Sequence, residues 1–137
     1  REGCMKGIPS VAFSLCNYYA DADFEPAARL IKIITGRVLE ERLPKNVCLN
    51  VNFPDLKEYK GVKVCRMCNG IWTNELVKEH HPRGYDYYWM VGEFHDTEPD
   101  SPDTDEWALA NGYVAITPTT IDVTAYKTMD MIREWEL

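Results

Sequence analysis

Val47-Cys48-Leu49-Asn50-Val51-Asn52-Phe53-Pro54 is the stretch whose reading decides the fold. Val47, Leu49, Val51 and Phe53 recur at period two and share one face of an extended segment. Cys48, Asn50 and Asn52 take the other face, and Pro54 removes a ladder donor and closes the run. Asparagines on the second face of so apolar a strand have two readings. They satisfy buried backbone at a sheet edge, or they line a polar cleft at the strand's carboxyl end, where open α/β sheets place ligands.

Upstream of this strand, the run Ile8 to Leu15 is hydrophobic on both faces, which predicts a central parallel strand covered on both sides. A loop over Asn17 to Asp23 follows, with Asp23 expected as N-cap and Glu25 and Pro26 in the first turn of a helix running to about Arg42. Ala27, Leu30, Ile31, Ile34 and Val38 form one stripe at helical spacing, so the helix docks by one face. Gly36 within it predicts close packing there. Residues 8 to 53 thus read as strand, crossover helix, strand, a unit expected to be right-handed.

Downstream, Val62 to Met67 alternates like a further strand. Ile71 to Glu79 and Tyr85 to Phe94 read as two extended arms joined by a turn at Pro82-Arg83-Gly84, rich in Tyr and Trp. Such a hairpin cannot bury both faces in a small domain, and residues 62–94, which contain it, are expected to make a subunit contact. Glu93 to Glu106 holds seven acids and no Lys or Arg, and is expected to be a solvent-facing loop. Trp107 to Ala110 reads as a helical turn, Asn111-Gly112 as a tight turn and Tyr113 to Pro118 as a strand. Residues 119–137 form a C-terminal arm, extended to Tyr126 and helical from Lys127 to Leu137.

The 137 residues fit one domain. The chain opens on Arg1 and is at a buried-strand pattern within seven residues, so a preceding segment is expected to be missing. A formal charge of -7, with no cluster of Lys or Arg, excludes the footprint of a long nucleic acid. No apolar run approaches the ~20 residues of a membrane span. Five cysteines, with Cys16 and Cys48 in core-like runs, suit reduced thiols and a cytoplasmic location.

Three patterns invite chemistry. Cys65-Arg66-Met67-Cys68 is a CxxC followed by His80 and His81, but adjacent histidines do not match the spacing of a tetrahedral zinc site, and an extended 62–68 segment sends the two thiols to opposite faces. Glu93, His95, Asp96, Asp100, Asp103 and Asp105 carry hard-cation donors without the order of a Ca2+ loop, and Thr104-Asp105 would stand at a cleft rim. No Gly-rich phosphate loop and no nucleophile elbow is present.

The ordered set Gly7-Ile8-Pro9-Ser10-Val11-Ala12-Phe13-Ser14, Leu49-Asn50-Val51-Asn52-Phe53-Pro54, Gly61-Val62-Lys63-Val64, Pro82-Arg83-Gly84 with Tyr88-Trp89, Thr104-Asp105, Gly112 to Pro118 and Asp122-Val123-Thr124-Ala125 resembles the SurE (survival protein E) family of 5'/3'-nucleotidases and acid phosphatases. The likeness is to the C-terminal portion of its Rossmann-like α/β fold: sheet strands, one long crossover helix, an extended hairpin and a C-terminal arm. Arg1-Glu2-Gly3 then resembles the tail of a preceding helix. The resemblance implies a metal-dependent phosphomonoesterase acting on nucleoside monophosphates and, in some members, short polyphosphate. It implies Mg2+ or Mn2+ held by an Asp-Asp pair, a Ser and an Asn, all upstream of Arg1, so that no catalytic residue and no metal ligand falls in this chain and the chain alone is expected to be inactive.

What falls here by the same comparison is a cleft rim of Asn50, Asn52, Thr104 and Asp105, with the asparagines as supports. Oligomer contacts at Arg83, Tyr88, Trp89, Asp122 and Tyr126 would serve a homodimer or homotetramer with exchanged arms. Tyr126 departs from the pattern, since members often have His after Asp-x-Thr-Ala. The reading of another class is a non-catalytic oligomerisation or interaction module that keeps this part of the fold.

Overall fold

The computed structural model describes residues 1–135. A short helix α1 (Glu2–Met5) leads into β1 (Val11–Leu15), the long helix α2 (Glu25–Glu41) and β2 (Val47–Phe53). β3 (Val62–Val64) is followed by β4 (Gly70–Thr73), β5 (Leu76–His81), β6 (Tyr85–Met90) and β7 (Glu93–Asp96). Helix α3 (Asp105–Ala110), strand β8 (Val114–Thr120) and helix α4 (Tyr126–Arg133) complete the chain. Glu136 and Leu137, where the terminal helix was expected to end, lie outside the described residues.

The main sheet runs β1-β2-β8-β3. β1 and β2 are parallel, as a helical crossover requires, and β8 inserts antiparallel to β2 and parallel to β3. The period-two reading of the opening strand holds. Val51 and Phe53 are fully buried and pack with Leu15, Val114 and the α2 residues Ala27, Ile34 and Val38. Burial of each of the Val, Leu, Ile and Phe side chains among these contributes about 1.5–3 kcal/mol. Asn50 and Asn52 face away from this core, opposite Thr117 and Ala115 of β8. Pro118 is tolerated in an inner strand because β3 has ended by that point. Val114 donates to Gly61 and Ile116 accepts from Cys65, so the side on which Pro118 lacks a donor faces the β3 direction, past β3's last pair at Ile116.

Several expectations are corrected. Among the described residues β1, five residues long, pairs only with β2, and Ala12 and Ser14 are exposed, so the covering expected on both faces is not supplied by this stretch of chain. The N-cap of α2 is Phe24, and Asp23 sits one residue earlier, accepting from the Glu25 N–H at 3.0 Å and pairing with Lys57 at 2.6 Å. Gly36 is not in close contact: a Cβ there would meet nothing within 4 Å. The strand expected to reach Met67 ends at Val64 because the chain changes partner. Cys65 N–H still bonds to Ile116 O, but Arg66 N–H turns to Asp103 O and Arg66 O accepts from Asp105 N–H. Cys16 is exposed, unlike Cys48, and all five cysteines are free thiols.

The two aromatic arms form one hairpin in an unbroken register, interrupted midway. β4 pairs β7 from Gly70↔Asp96 to Thr73↔Glu93, and β5 pairs β6 from Leu76↔Met90 to His81↔Tyr85. The interruption falls at Asn74 and Gly92, both with positive φ, where a Cβ on Gly92 would meet Trp72 at 3.1 Å. Every residue of β6 is exposed.

Candidate functional site

Of the four expected rim residues, Asn50 and Asn52 stand on the polar face of the sheet, whereas Thr104 and Asp105 lie at the start of α3. Ala12, Asn50 and Thr117 stand in one register row, and Ser14, Asn52 and Ala115 in the next. Helix α3 covers only the far corner, with Ala108 against Ala115 and Cys65. Over the remainder lies a groove of about 580 Å3, lined among others by Ala12, Cys48, Asn50, Arg66, Thr117 and Thr119. Thr117 is 4 % exposed, and its Oγ1 has no hydrogen-bond partner among the described residues. At the carboxyl ends of β1 and β2, Asn17 Nδ2 donates to Asp55 Oδ2 at 2.9 Å, and Cys16 N–H bonds to Phe53 O.

Thr104 and Asp105 are buried rather than solvent-facing, and each has a local structural task. Thr104 is the N-cap of α3: its Oγ1 accepts from Trp107 N–H at 3.2 Å and donates to Ser101 O at 3.0 Å. Asp105 Oδ1 accepts from Cys68 N–H at 2.8 Å and from Glu106 N–H at 3.0 Å. The Glu106 carboxyl is pushed up by burial and by the neighbouring Asp105 and Asp96.

The residue missed by sequence reasoning is Arg66. Its guanidinium grips Glu98 in a bidentate pair at 2.5 and 2.8 Å and Asp103 at 2.8 and 3.2 Å. Glu98 in turn accepts from Asn69 N–H at 2.7 Å. One arginine inside the CxxC therefore folds an acidic segment that has no cation of its own. It holds the Glu98 carboxyl down at about 2, chiefly through the hydrogen bonds it donates, and is itself held more firmly charged. The signal for it was the seven-acid run, whose repulsion calls for a cation from elsewhere in the chain.

The CxxC thiols serve different places. Cys65 packs on Ala108 and Ala115, whereas Cys68 Sγ donates to Asp96 Oδ1 at 2.9 Å and is pushed up to about 12, first by burial and then by that bond. Among the described residues no group of three or more His, Cys, Asp or Glu could hold a metal ion. Arg66 engages Glu98 and Asp103, while Cys68 and backbone amides engage Asp96 and Asp105. The side chains here do not fit a divalent-cation site, so no chemical step is routed through one.

The predicted contact residues lie on other elements. Arg83 is in the β5–β6 turn, and Tyr88 and Trp89 are exposed neighbours on β6. Asp122 accepts from the Tyr126 hydroxyl within the same chain and is lowered to about 2, mainly by its hydrogen bonds with Thr124 and Tyr126. No described helix is long and apolar enough to cross a membrane.

A parallel β-α-β unit, a helix layer on one face and a polar cleft face on the other define part of a Rossmann-like α/β domain. The chain belongs to the SurE family: the model described as survival protein SurE matches residues 1–74. It is 54% identical over 136 residues to the 5'-nucleotidase SurE of Phocaeicola vulgatus, covering 99% of this chain and 53% of that protein. It is likewise 54% identical over 129 residues to the 5'-nucleotidase SurE of Bacteroides thetaiotaomicron, covering 94% of this chain and 50% of the relative. The crystal structure of the SurE protein from Aquifex aeolicus superposes with a TM-score of 0.72 at 38% identity, over 96% of this chain and 53% of that one. The chain spans about half the length of the curated relatives it matches.

Proposed function

We propose that this chain is the C-terminal portion of a SurE-type 5'-nucleotidase, a metal-dependent phosphomonoesterase acting on nucleoside monophosphates, in which it supplies sheet, cleft rim and subunit contacts. The observation that carries the reading is the 54% identity to a 5'-nucleotidase across 99% of the chain. In this reading the Mg2+ or Mn2+ ligands lie in the other half of the family's length. Asn50 and Asn52 then border the cleft, and Thr104 and Asp105 brace its rim through α3. When bound, the ion would neutralise phosphate charge and activate water, and this chain's part is to shape the floor beside it.

The test compares phosphate release from nucleoside monophosphates with Mn2+ by this chain and by a version extended to the family's full length. Release by the extended chain alone is expected. Activity of the isolated chain would refute the assignment of the metal site to the other half, and inactivity of both would refute the nucleotidase reading. A second reading, a non-catalytic interaction module, is favoured by the wholly exposed β6 strand and gains ground in that last case.

A further inference from the structure

Taking the substrate class from the nucleotidase reading, on which the inference rests, we propose that Tyr18 and Tyr19, in the loop between β1 and α2, form a stacking platform for the base of the nucleotide. The loop would then set how far nucleotides are preferred over phosphate monoesters that carry no base.

Place is the starting point. The loop leaves the carboxyl end of β1, and the loop after β2 leaves the carboxyl end of the parallel strand beside it. Open α/β sheets bind their ligands at that end of the strands.

The loop is held in shape by side chains other than the two tyrosines. Asn17 Oδ1 accepts from the Tyr19 N–H at 2.9 Å, and Asn17 Nδ2 donates to Asp55 Oδ2 at 2.9 Å. Six residues on, Asp23 pairs with Lys57 at 2.6 Å, so the β1–α2 loop is tied to the β2–β3 loop on both sides of the tyrosines. Between these ties Tyr19 O accepts from the Ala22 N–H at 3.2 Å, and Ala22 packs against the core. Tyr18 and Tyr19 themselves are 101 % and 79 % exposed, so their rings add nothing to this bracing. A braced loop that presents two tyrosines offers flat contact area at small cost in conformational entropy, because each ring turns about only two side-chain angles.

Charge then selects which part of a nucleotide fits. Asp21 and Asp23 lie in the loop and Asp55 beside it, while Lys57 is already engaged by Asp23. A phosphate is repelled here, whereas a neutral planar base is not, and a tyrosine face stacks on a base of any kind. The nucleotide therefore meets this loop with its base and keeps its phosphate away from it. Such a platform favours nucleotides as a class without choosing among bases.

The experiment uses the chain extended to the family's full length, with Mn2+, and compares adenosine 5'-monophosphate with ribose 5-phosphate, which has no base. Tyr18→Ala combined with Tyr19→Ala should raise KM for adenosine 5'-monophosphate at least about fivefold, the low end of what losing one stacking ring costs. KM for ribose 5-phosphate and both kcat values should stay within about twofold, and Tyr18→Phe combined with Tyr19→Phe should restore the nucleotide KM. Binding is read separately by titrating adenosine into the same protein and following the Tyr18 and Tyr19 amides by NMR. Saturable shifts are expected, and this measurement on the unsubstituted protein decides the matter if the alanine variant fails to fold. Equal losses on both substrates would show that the rings only pack against the rest of the fold; these, an unchanged nucleotide KM, or silent tyrosine amides would each overturn the proposal. Adenosine shifts in a protein that hydrolyses neither substrate would sink the nucleotidase reading and leave the platform. Hydrolysis of both substrates with silent tyrosine amides would do the reverse.

Discussion

Arg66 shows what a single residue does here that no local pattern announces. Its partners Glu98 and Asp103 lie 32 and 37 positions away, and only the fold brings them together. A carboxyl depressed from 4.5 to about 2 contributes stability that is fully present above its unfolded value and lost as pH falls toward 2. The amide of Asn69, bonded to Glu98, should therefore titrate by NMR with a midpoint near 2. A midpoint near 4.5 would show that the grip is absent. Two substitutions probe the same scale. Gly36→Ala, in open space within α2, should stabilise by about 1 kcal/mol in urea denaturation, and a loss instead would restore the close packing inferred from sequence. Thr104→Ala removes the α3 cap and should cost about 1 kcal/mol. The faces of Asn50 and Asn52 were legible because period two is a local property. The capping task of Thr104 was hidden by the acids around it, which read as a solvated loop.

At the scale of elements, legibility followed sequence separation. The order strand, helix, strand within residues 8 to 53, and the hairpin turning around Pro82-Arg83-Gly84, are local patterns and emerge in kind, with their bounds and interruptions set by contacts the local pattern does not contain. The insertion of β8 between β2 and β3 is not a local pattern, because its register joins residues more than fifty positions apart. The hairpin's exposure gives a prediction with more detail than composition allowed. Neighbours on a strand point to opposite faces, so Tyr88 and Trp89 test different sides of the ribbon. Trp89 lies in a row with Tyr87, whose ring is 6.2 Å away edge-on, and His81 stacks on Tyr85 at 4.5 Å. If the ribbon makes a subunit contact, Tyr88→Ser with Trp89→Ser should lower the oligomer mass by light scattering, and the single variants should identify the buried side. An unchanged mass in the double variant would remove the hairpin from the interface.

For the whole molecule, the balance of charge decides what the isolated chain can bind. Acids outnumber Lys and Arg by 22 to 15, and of the two arginines lining the groove Arg66 is already held by two carboxylates, which leaves Arg1 against an excess of acids. An anionic nucleotide approaching the polar face therefore meets a field that repels it, and no described cluster can place a cation to offset this. Nucleoside monophosphate with Mn2+ should leave the amide spectrum around Asn50 and Asn52 unmoved in this chain alone. In a chain extended to the family's length the same amides should shift, because the ion that neutralises the phosphate would then sit beside the floor these residues form. Saturable shifts in the isolated chain would mean that its own side chains hold the nucleotide, and would move part of the binding site into this half. Silent amides in an active extended chain would instead move the cleft away from β2, since a phosphate and its ion within reach of Asn50 and Asn52 must perturb their surroundings.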